Sequence, residues 1–363
     1  MIQREVVVVG AGPAGLCASI EARRKGAEVL LIDENSRPGG QLFKQIHKFF
    51  GSKDHKAGIR GINIGTQLLK DAQQLNIETW LGCEVCGIFD ENELWVVCNR
   101  DRSVRVKAER IILATGAMEN SVNFPGWTLP GVMGAGAAQT MINLHRVKPG
   151  DNILMVGSGN VGVIVSYQLL QAGCNVVGIV EAAPQLGGYG VHTAKVRRAG
   201  VPFYTSHTVK KAEGVDHVRS ATVVKLDPAW NQIEGSEFTV SVDTICIAAG
   251  LTPLAELAFA SGCEPVYSPV LGGMVPLHDD HMHTSVSSIY IAGDISGVEE
   301  ASTAMEEGRL AGLSASHSLG YVDKDKFQKE FSQAVGRLNV LRSGLFGQKR
   351  LKAKEEIFTK KKG

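Results

Sequence analysis

The amino-acid sequence predicts an α/β fold in which one succession of strand, glycine-rich turn, helix and strand occurs twice. The chain has 363 residues, which is enough for two or three domains that each bury a core. Glycine occurs 42 times, whereas Phe, Trp and Tyr together make up 6%. Two short apolar runs, residues 6–9 and 152–156, each lead directly into a glycine-rich turn. Together these observations indicate parallel sheets whose strands end in tight turns.

The first copy begins with Val6 to Val9, a β-branched run typical of a central parallel strand buried on both faces. The turn that follows matches the G-x-G-x-x-G pattern with Gly10, Gly12, Pro13, Ala14 and Gly15. A helix is predicted to Arg24, and Gly26 ends it. The next strand, residues 28–32, ends at Asp33, 23 residues beyond Gly10. A carboxylate at this position can accept hydrogen bonds from ribose hydroxyls, so the copy predicts a dinucleotide site.

The second copy has the same order of parts. A strand at residues 152–156 precedes a turn made of Gly157, Ser158, Gly159, Asn160, Val161 and Gly162. A helix at 163–172 and a strand at 176–180 follow, and Glu181 lies 24 residues beyond Gly157. Because Ala182 and Ala183 come next, with no nearby Arg or Lys, the acid should repel a 2′-phosphate and favour NAD over NADP. The alternative is a structural relic that holds no nucleotide.

Both copies continue with short alternating strands and a second glycine turn. Residues 83–120 contain such strands and run into Ala114, Thr115 and Gly116, and residues 204–250 repeat the pattern up to Gly250. The distance along the chain is 106 residues from Gly10 to Gly116 and 93 residues from Gly157 to Gly250. The sequence therefore predicts two Rossmann-like dinucleotide-binding domains.

Charge and hydropathy exclude several classes of partner. Lys+Arg number 38 and Asp+Glu 37, so no overall field attracts nucleic acid. No run approaches the ~18 apolar residues of an integral membrane segment. Glycine interrupts the apolar run between Val6 and Ile20, which argues against a secretory signal. We expect a cytoplasmic protein. The last residues, from Lys349, carry net charge +5 and are expected to be a solvated basic tail rather than a docking arm.

Residues 3–320 resemble the two-dinucleotide-binding-domain flavoproteins, the superfamily of thioredoxin reductase and the pyridine nucleotide-disulfide oxidoreductases. Besides the first glycine loop, the resemblance rests on residues 37–41 (RPGGQ), 114–116 (ATG) and 284–294 (TSVSSIYIAGD). It implies FAD in the first copy and NAD in the second. Because the late segment belongs to the first copy, we expect a discontinuous FAD domain at residues 1–120 and 276–322. The NAD domain, residues 121–275, would be inserted into it, and a helical, basic tail would occupy residues 323–363.

The resemblance also implies roles for individual residues. The first loop would hold the FAD pyrophosphate, Asp33 the adenosine ribose, and Asp294 the ribityl chain, with Glu34 as a rival for Asp33. The further implied FAD contacts are Gly40, Gln41, Val85, Ala114, Thr115, Gly116, Gly293 and Ala301. A helix predicted over residues 299–310 would direct its N-terminus towards charge at the flavin N1/C2 carbonyl. Hydride transfer from NAD(H) to the flavin requires no acid or base, so no catalytic residue is assigned.

The cysteines argue against dithiol chemistry. Disulfide reductases of this superfamily carry a redox Cys pair after the Gly-Gly turn or in the NAD domain, and this sequence has neither. The seven cysteines, mostly within apolar runs, are expected to be reduced thiols. They are Cys17, Cys83, Cys86, Cys98, Cys174, Cys246 and Cys263. Cys83 and Cys86 flank a predicted strand, where a redox or metal role is the less favoured interpretation.

Two further segments, 124–132 (FPGWTLPGV) and 300–308 (EASTAMEEG), resemble the FAD-containing alpha-type subunits of hydrogen cyanide synthase, opine oxidase and dye-linked proline dehydrogenase. That resemblance implies two partners, a small [2Fe-2S] protein and a second flavoprotein dehydrogenase subunit. No cysteine follows Cys263, so we expect a separate polypeptide to supply any cluster, with residues 341–347 as a candidate contact. The alternatives are a substrate-oxidising amino-acid or opine-type subunit that does not use NAD, and a non-catalytic FAD-bearing assembly subunit.

Three clusters of polar residues allow more than one interpretation. Residues 278–283 contain three histidines and two aspartates, which predict a polar loop in preference to a metal site. Basic side chains around residues 49–51, namely Lys44, His47, Lys48, His55 and Lys56, predict a solvated loop, with an anion-receiving segment or lid as the alternative. Glu299, Glu300, Glu306 and Glu307 are expected at a helix N-terminus and on the surface.

Overall fold

The structure of the protein is a computed structural model that describes residues 1–49 and 53–362. It divides into two compact units. Unit 1 consists of residues 1–118 and 252–363, and unit 2 of residues 119–251. Unit 1 is therefore discontinuous in sequence, and unit 2 lies between its two parts along the chain. Among the described residues, no helix combines the length and the apolar composition needed to cross a bilayer.

The helices are α1 Pro13–Lys25, α2 Gly61–Gln74, α3 Ala135–Thr140, α4 Asn160–Gln171, α5 Gly190–Arg198, α6 Glu256–Ala260, α7 Ala301–Ser318, α8 Lys324–Leu341 and α9 Leu345–Lys362. The strands are β1 Ile2–Val9, β2 Val29–Asp33, β3 Glu78–Leu81, β4 Cys83–Phe89, β5 Glu93–Cys98, β6 Arg102–Leu113, β7 Ala117–Glu119, β8 Val132–Gly134, β9 Asn152–Val156, β10 Asn175–Glu181, β11 Phe203–Thr205, β12 His207–Gly214, β13 Val218–Lys225, β14 Phe238–Ser241, β15 Thr244–Ile247, β16 Leu251–Pro253, β17 Pro265–Ser268, β18 Gly273–Pro276 and β19 Ile289–Ile291.

Unit 1 is built on a sheet with the strand order β3-β2-β1-β6-β5-β4, and β19 also pairs with β6. The pairs β1·β2, β2·β3, β1·β6 and β6·β19 are parallel, whereas β4·β5 and β5·β6 are antiparallel. The long strand β6 joins the two parts, because its first half pairs with β5 and its second half with β19. Val6 to Val8 are fully buried, as the β-branched run predicts for a strand covered on both faces.

Helix α7 packs against α1 at close range, and two glycines on α7 allow it. A Cβ atom on Gly308 would lie 2.1 Å from the carbonyl oxygen of Ala14, and one on Gly312 would lie 2.4 Å from that of Ala18. Glycines four residues apart lie on the same face of a helix, so they permit backbone contact along that face. This packing makes the late segment part of unit 1.

Unit 2 contains a parallel sheet with the order β11-β10-β9-β15-β8 and a separate antiparallel sheet, β12-β13-β14. The strand predicted at residues 152–156 is observed as β9, and the helix after the glycine loop is α4. The core of the parallel sheet includes Ile153, Met155 and Ile179, which are fully buried. Unit 2 therefore repeats the βαβ unit that begins unit 1.

The second boundary differs from the predicted one, residue 275, because unit 2 ends at residue 251. Ala255, Ala258 and Cys263 are buried in the same hydrophobic core as β1 and α1, so this segment belongs to unit 1. The hairpin β17–β18 follows it in unit 1 and pairs in antiparallel fashion. The sequence similarity between the two copies did not indicate where the chain returns from unit 2 to unit 1.

The predicted basic tail, residues 323–363, consists of two helices packed into unit 1. On α8, Phe327, Phe331, Ala334 and Leu338 are buried at helical spacing in the main core. On α9, Ala353 and Ile357 pack with Val266, Leu271, Val275 and Leu277. The expectation of a solvated tail is wrong at Lys354, whose side chain is fully buried. The side chains of Leu345 and Phe346, in the proposed contact segment, lie outside the described part of the chain.

The expectation that all cysteines are reduced is wrong for two of them. Cys83 on β4 and Cys98 on β5 form a disulfide bond. They are paired residues on adjacent antiparallel strands, with Cα atoms 4.0 Å apart, so the ladder register brings them together. Cys86 is a free, exposed thiol, and Cys17, Cys174, Cys246 and Cys263 are free and buried.

Candidate functional site

The first glycine loop lies over the carboxyl ends of β1 and β6. Gly10 has φ +102°, and a Cβ there would lie 2.3 Å from the carbonyl oxygen of Ala114. A Cβ on Gly15 would lie 1.8 Å from the carbonyl oxygen of Gly10. Only glycine fits at these two positions. At Gly12, in contrast, a Cβ would have no described atom within 4 Å. The backbone at Gly12 is thus open to close approach by a ligand.

Helix α1 begins directly after this open glycine, with Pro13 at its first turn. Within the described part of the chain, no side chain caps its N-terminus. The N–H groups of Ala14 and Gly15 therefore remain available at the positive end of the helix dipole. Such a terminus binds phosphate groups, and the residues present fit a pyrophosphate at the first loop.

The carboxylate of Asp33 is held by the loop itself. Its Oδ2 accepts a hydrogen bond of 2.6 Å from the backbone N–H of Ala11, and its Oδ1 accepts two from Asn35. An ionised carboxylate offers about four lone-pair sites, so one acceptor position remains for a ribose hydroxyl. Glu34 is exposed beside it. Of the two acids that the sequence left as rivals, Asp33 is the one fixed against the loop.

The Gly-Gly turn lies against the same loop. The N–H of Gly39 donates to the carbonyl oxygen of Ala11 at 2.7 Å, and a Cβ on Gly40 would lie 2.9 Å from the Cα of Gly12. Gln41 is exposed and begins the short 3₁₀ turn at residues 40–44 with Gly40. The turn thus brings Gly40 to the first loop.

Four other predicted FAD contacts lie directly after β6 and within β4. Ala114 donates its N–H to the carbonyl oxygen of Val9 at 2.8 Å. The hydroxyl of Thr115 donates to the carbonyl oxygen of Leu254 at 2.5 Å. Gly116 has φ +80° with open space at its Cβ position. Val85 lies in the middle of β4, opposite Val96, and is partly exposed.

The late Gly-Asp motif closes on the start of α1. A Cβ on Gly293, which has φ +77°, would lie 2.8 Å from the Cβ of Ala14. Asp294 follows in a 3₁₀ turn, and its carboxylate accepts the N–H of Glu299 at 3.4 Å. Burial raises the pKa of Asp294 to about 6, because removing a carboxylate from water disfavours its charged form. A hydroxyl donor at this position would relieve that cost.

A buried ionic cluster forms hydrogen bonds with the Gly-Asp turn. Glu307 accepts hydrogen bonds from the N–H of Gly293 at 3.1 Å and from the hydroxyl of Ser296 at 2.9 Å. The other members of the cluster are Glu299, Arg342 and Lys354. Lys354 donates to Ser296 at 2.6 Å and pairs with Glu307, and Arg342 pairs with both glutamates at 2.6 Å. All four ionic side chains are at most 5% exposed.

The charges of this cluster compensate one another. Burial alone would raise the pKa of Glu307, but the Lys354 ammonium and the Arg342 guanidinium outweigh it and lower that pKa to about 2. Glu306 and Glu307 were expected on the surface, but both are buried and paired. The roles of Arg342 and Lys354 were not predicted, because nothing in the local pattern of a basic tail indicates a buried lysine.

Helix α7 begins at Ala301, close in sequence to this turn. Glu300 and Thr303 form a capping box, in which the hydroxyl of Thr303 accepts the N–H of Glu300 at 3.2 Å. The helix starts two residues later than predicted and runs further, to Ser318. Its position after the Gly-Asp turn agrees with the sequence pattern.

The loop in unit 2 has the same construction. Gly157 has φ +102°, and a Cβ there would lie 2.3 Å from the carbonyl oxygen of Ala248. A Cβ on Gly162 would lie 2.1 Å from the carbonyl oxygen of Gly157, whereas one on Gly159 would have no described atom within 4 Å. Helix α4 then begins at Asn160, with Val161 exposed in its first turn. Gly159 is therefore open to a ligand in unit 2 as Gly12 is in unit 1. Gly157 and Gly162, at which a Cβ would clash, correspond to Gly10 and Gly15.

Glu181 has the place in unit 2 that Asp33 has in unit 1. Its Oε2 accepts the N–H of Ser158 at 2.9 Å and the hydroxyl of Ser158 at 2.6 Å, and its Oε1 accepts the N–H of Ala183 at 2.9 Å. The acid is therefore fixed at the end of β10, against the glycine loop. Its placement matches the ribose-binding acid of a dinucleotide fold.

Sequence analysis missed a second Gly-Gly turn in unit 2. The N–H of Gly187 donates to the hydroxyl of Ser158 at 3.0 Å, and a Cβ on Gly188 would lie 2.8 Å from the carbonyl oxygen of Ser158. Gly187 follows Glu181 by six residues, as Gly39 follows Asp33. This equal spacing was a signal available in the sequence.

The histidine side chains of residues 278–283 contact different neighbours. The Nδ1 of the buried His278 lies 2.7 Å from the carbonyl oxygen of Pro276. His281 contacts the rings of Phe327 and Phe331, and the Nε2 of His283 is 2.8 Å from the carbonyl oxygen of Ser287. Among the described residues, no group of three or more His, Cys, Asp or Glu side chains could hold a metal ion. Of the basic segment, Phe50 and Gly51 lie outside the described residues.

Comparisons with known proteins agree with this geometry. A family model described as pyridine nucleotide-disulphide oxidoreductase matches residues 4–308. Hydrogen cyanide synthase subunit HcnB of Pseudomonas aeruginosa is 31% identical over 333 residues, covering 85% of this chain and 70% of the relative. An opine oxidase subunit of Rhizobium meliloti is 28% identical over 351 residues, covering 88% of this chain. The chain spans 63% of the length of that opine oxidase subunit.

Solved structures share the fold at lower identity. Thioredoxin reductase from T. acidophilum matches with a TM-score of 0.71 and 20% identity, covering 88% of this chain and 99% of that chain. L-proline dehydrogenase from P. horikoshii matches with a TM-score of 0.67 and 21% identity, covering 92% of this chain and 59% of that chain. The two-domain α/β architecture is therefore shared with both structures.

Proposed function

The chain belongs to the pyridine nucleotide-disulphide oxidoreductase family, and on this premise we propose that it is an FAD-dependent oxidoreductase that passes electrons between NAD(H) and a partner redox centre. The observation that carries the proposal is the one-to-one correspondence of the two loops. Among the described residues, each unit has an open middle glycine, a helix N-terminus that no side chain caps, and an acid fixed by the loop. Two such sites in one chain fit two dinucleotides.

In unit 1 the proposed ligand is FAD. The open backbone at Gly12 and the first N–H groups of α1 would hold its pyrophosphate, and Asp33 would hold its adenosine ribose. Asp294, with its raised pKa, would accept a hydroxyl of the ribityl chain. When bound, FAD supplies a ring that accepts a hydride and releases electrons to a second centre. The chain's own residues bind and orient, and none is assigned an acid or base role.

In unit 2 the proposed ligand is NAD(H). Gly159 and the N-terminus of α4 would hold the pyrophosphate, and Glu181 would accept the ribose hydroxyls. Glu181 favours NAD because a 2′-phosphate would meet its negative charge. The two residues after it are alanines, so the adjoining chain supplies no compensating cation.

Dithiol chemistry has no support in the fold. Among the described residues, the bonded cysteine pair is Cys83–Cys98, on antiparallel strands of unit 1, and neither follows a glycine loop. Burial raises the pKa of the Cys17 thiol to about 11, so this cysteine on α1 is a poor nucleophile. These cysteines therefore do not favour a dithiol of this chain as the acceptor of the flavin's electrons.

The names of the relatives support the proposal that this chain works with partner subunits. Three of them, from opine oxidase, hydrogen cyanide synthase and sarcosine oxidase, are each named as a subunit of a larger enzyme. We propose that this chain works beside a small [2Fe-2S] protein and a second flavoprotein dehydrogenase subunit. Purification of the tagged chain with its neighbours, followed by iron analysis, tests the partners separately from the flavin step.

Anaerobic stopped-flow mixing tests the proposed reaction. We expect the yellow protein to bleach near ~450 nm with NADH, and at least about tenfold faster than with NADPH, because Glu181 opposes the extra phosphate. Glu181→Gln should narrow this preference, whereas Glu234→Gln, at an exposed site in unit 2, should leave it unchanged. A colourless protein that takes up no FAD, or a flavin that neither nucleotide reduces, would contradict the proposal.

A further inference from the structure

A cationic cavity lies in unit 1, and none of its lining residues belongs to a glycine loop. It is bordered by Lys53 and Lys56, by α7 and by α8, and its volume is about 680 Å³. The charged side chains that line it are Lys53, Lys56, Arg309, Arg337 and Glu306. Four cations and one carboxylate give the lining a net charge of +3. The cavity is a wide depression that is open to solvent rather than an enclosed pocket.

Glu306 fixes the two arginines in place. Its side chain is 1% exposed and accepts a hydrogen bond from Arg309 and another, of 3.0 Å, from the Nε of Arg337. A guanidinium group has five N–H donors in a rigid plane, so each arginine keeps donors that Glu306 does not use. Arg309 is 27% exposed and Arg337 is 34% exposed, so both also reach the open side of the cavity.

Lys53 and Lys56 lie in one turn, and both line the cavity. The N–H of Lys56 donates to the carbonyl oxygen of Lys53 at 3.1 Å, and Lys56 has the left-handed φ of +60°. A non-glycine residue in this conformation is uncommon and is tolerated where the chain must turn sharply. Within the described part of the chain, neither ammonium group forms a salt bridge with a carboxylate. Two cations thus line the cavity without a salt bridge to any carboxylate that the structure describes, and the side chain of Asp54 lies outside the described part.

We propose that this cavity binds a small anion carrying two or more phosphate or carboxylate groups. Like charges held close together repel one another, and an anion would remove that repulsion. Guanidinium groups bind phosphate and carboxylate oxygens in pairs, and the ammonium groups that line the same cavity add point charges. A single negative charge would leave most of the net charge of +3 unbalanced, so a multivalent ligand fits better. The site goes beyond the proposed electron transfer, since none of its residues belongs to a nucleotide loop.

Calorimetric titration of the FAD-saturated protein tests this site. The probes are inorganic tripolyphosphate and citrate, which distinguish phosphate from carboxylate, with acetate as the monovalent comparison. We expect one equivalent of a multivalent probe to bind, acetate to bind far more weakly, and the affinity to fall as NaCl is raised from about 50 mM to about 500 mM. Saturating NAD is present throughout, so that the loop in unit 2 cannot take up the probe.

A charge-matched pair of double variants assigns the binding to the cavity. Lys53→Gln with Lys56→Gln should weaken binding of the probe by about tenfold or more, since it removes two charge-assisted contacts. Lys352→Gln with Lys360→Gln removes the same charge from exposed positions on α9 and should leave the affinity unchanged. Thermal melting and the flavin spectrum of all variants should match those of the parent, which separates loss of the site from loss of the fold.

Three outcomes would overturn the proposal. The first is that neither multivalent probe binds. The second is equal binding by the two double variants, which would mean that the anion lies elsewhere. The third is the absence of anion binding together with loss of a partner protein in the Lys53→Gln, Lys56→Gln variant, which would make the cavity a protein docking surface instead. Binding with the expected variant dependence supports the site even if NADH fails to reduce the flavin.

Discussion

At the scale of single residues, the two loops use glycine for two different reasons. Gly10 and Gly15 are required by the fold, because a Cβ at either would overlap a backbone carbonyl. Gly12 has φ −73°, which any residue can adopt, and open space where its Cβ would lie. Its lack of a side chain therefore serves the approach of a ligand rather than the packing of the chain.

This difference predicts opposite phenotypes for two alanine substitutions. Gly12→Ala should leave the stability of the flavin-stripped protein within about 0.5 kcal/mol of the parent but should lower its FAD content strongly. Gly15→Ala should destabilise the stripped protein by about 1–3 kcal/mol, because the clash at 1.8 Å forces the backbone to shift. Urea unfolding of the stripped proteins and the ratio of absorbance at about 450 nm to that at about 280 nm measure the two effects. Equal loss of stability in both variants would contradict this division of roles.

The local geometry of residues close together in sequence follows the predicted pattern, whereas contacts between residues far apart in sequence were not predicted. The glycine loops, Asp33 and Glu181 lie within single βαβ units, where spacing alone fixes their geometry. The pairing of Lys354 with Glu307 spans 47 residues and depends on how α9 packs, which no local pattern encodes. The Cys83–Cys98 bond depends on strand register in the same way.

At the scale of elements, α9 brings a charge into the core of unit 1. Removing one partner from a buried, compensated ion cluster leaves another charge unpaired, which costs about 3–5 kcal/mol. We therefore expect Lys354→Met to lower the free energy of unfolding by about this amount and to weaken FAD retention, because Glu307 also holds the N–H of Gly293. Lys352→Met, an exposed position on the same helix, is the matched control and should change stability by less than about 0.5 kcal/mol.

The pH dependence of stability gives a second measurement for this cluster. The folded pKa of Glu307, about 2, lies below its ordinary value of 4.5. Its stabilising contribution is therefore present above about pH 4.5 and is lost as the pH falls towards about 2. The stability difference between the parent and Lys354→Met should shrink across this window, as followed by urea unfolding at successive pH values. A difference that is constant with pH would mean that Lys354 acts through packing alone.

At the scale of the whole molecule, each unit carries a complete loop, helix terminus and acid of its own. The hydrogen bonds that fix Asp33 lie within unit 1, and those that fix Glu181 lie within unit 2. Because the hydrogen bonds that the structure describes for each acid stay within its own unit, the two nucleotide functions should be separable by mutation.

The substitution Gly159→Ala tests that separation. Gly159 has φ −60° and open space at its Cβ position, so alanine should fold there without strain, but its methyl group would occupy the place of the proposed NAD pyrophosphate. We expect the variant to keep the yellow colour and the stability of the parent, while flavin reduction by NADH slows by at least about tenfold at low nucleotide concentration. Dithionite should still reduce it fully, which shows that the flavin itself remains competent. If Gly159→Ala is reduced by NADH as fast as the parent, then the loop of unit 2 does not receive the reductant, and the proposal of NAD as electron donor fails while the assignment of FAD to unit 1 stands.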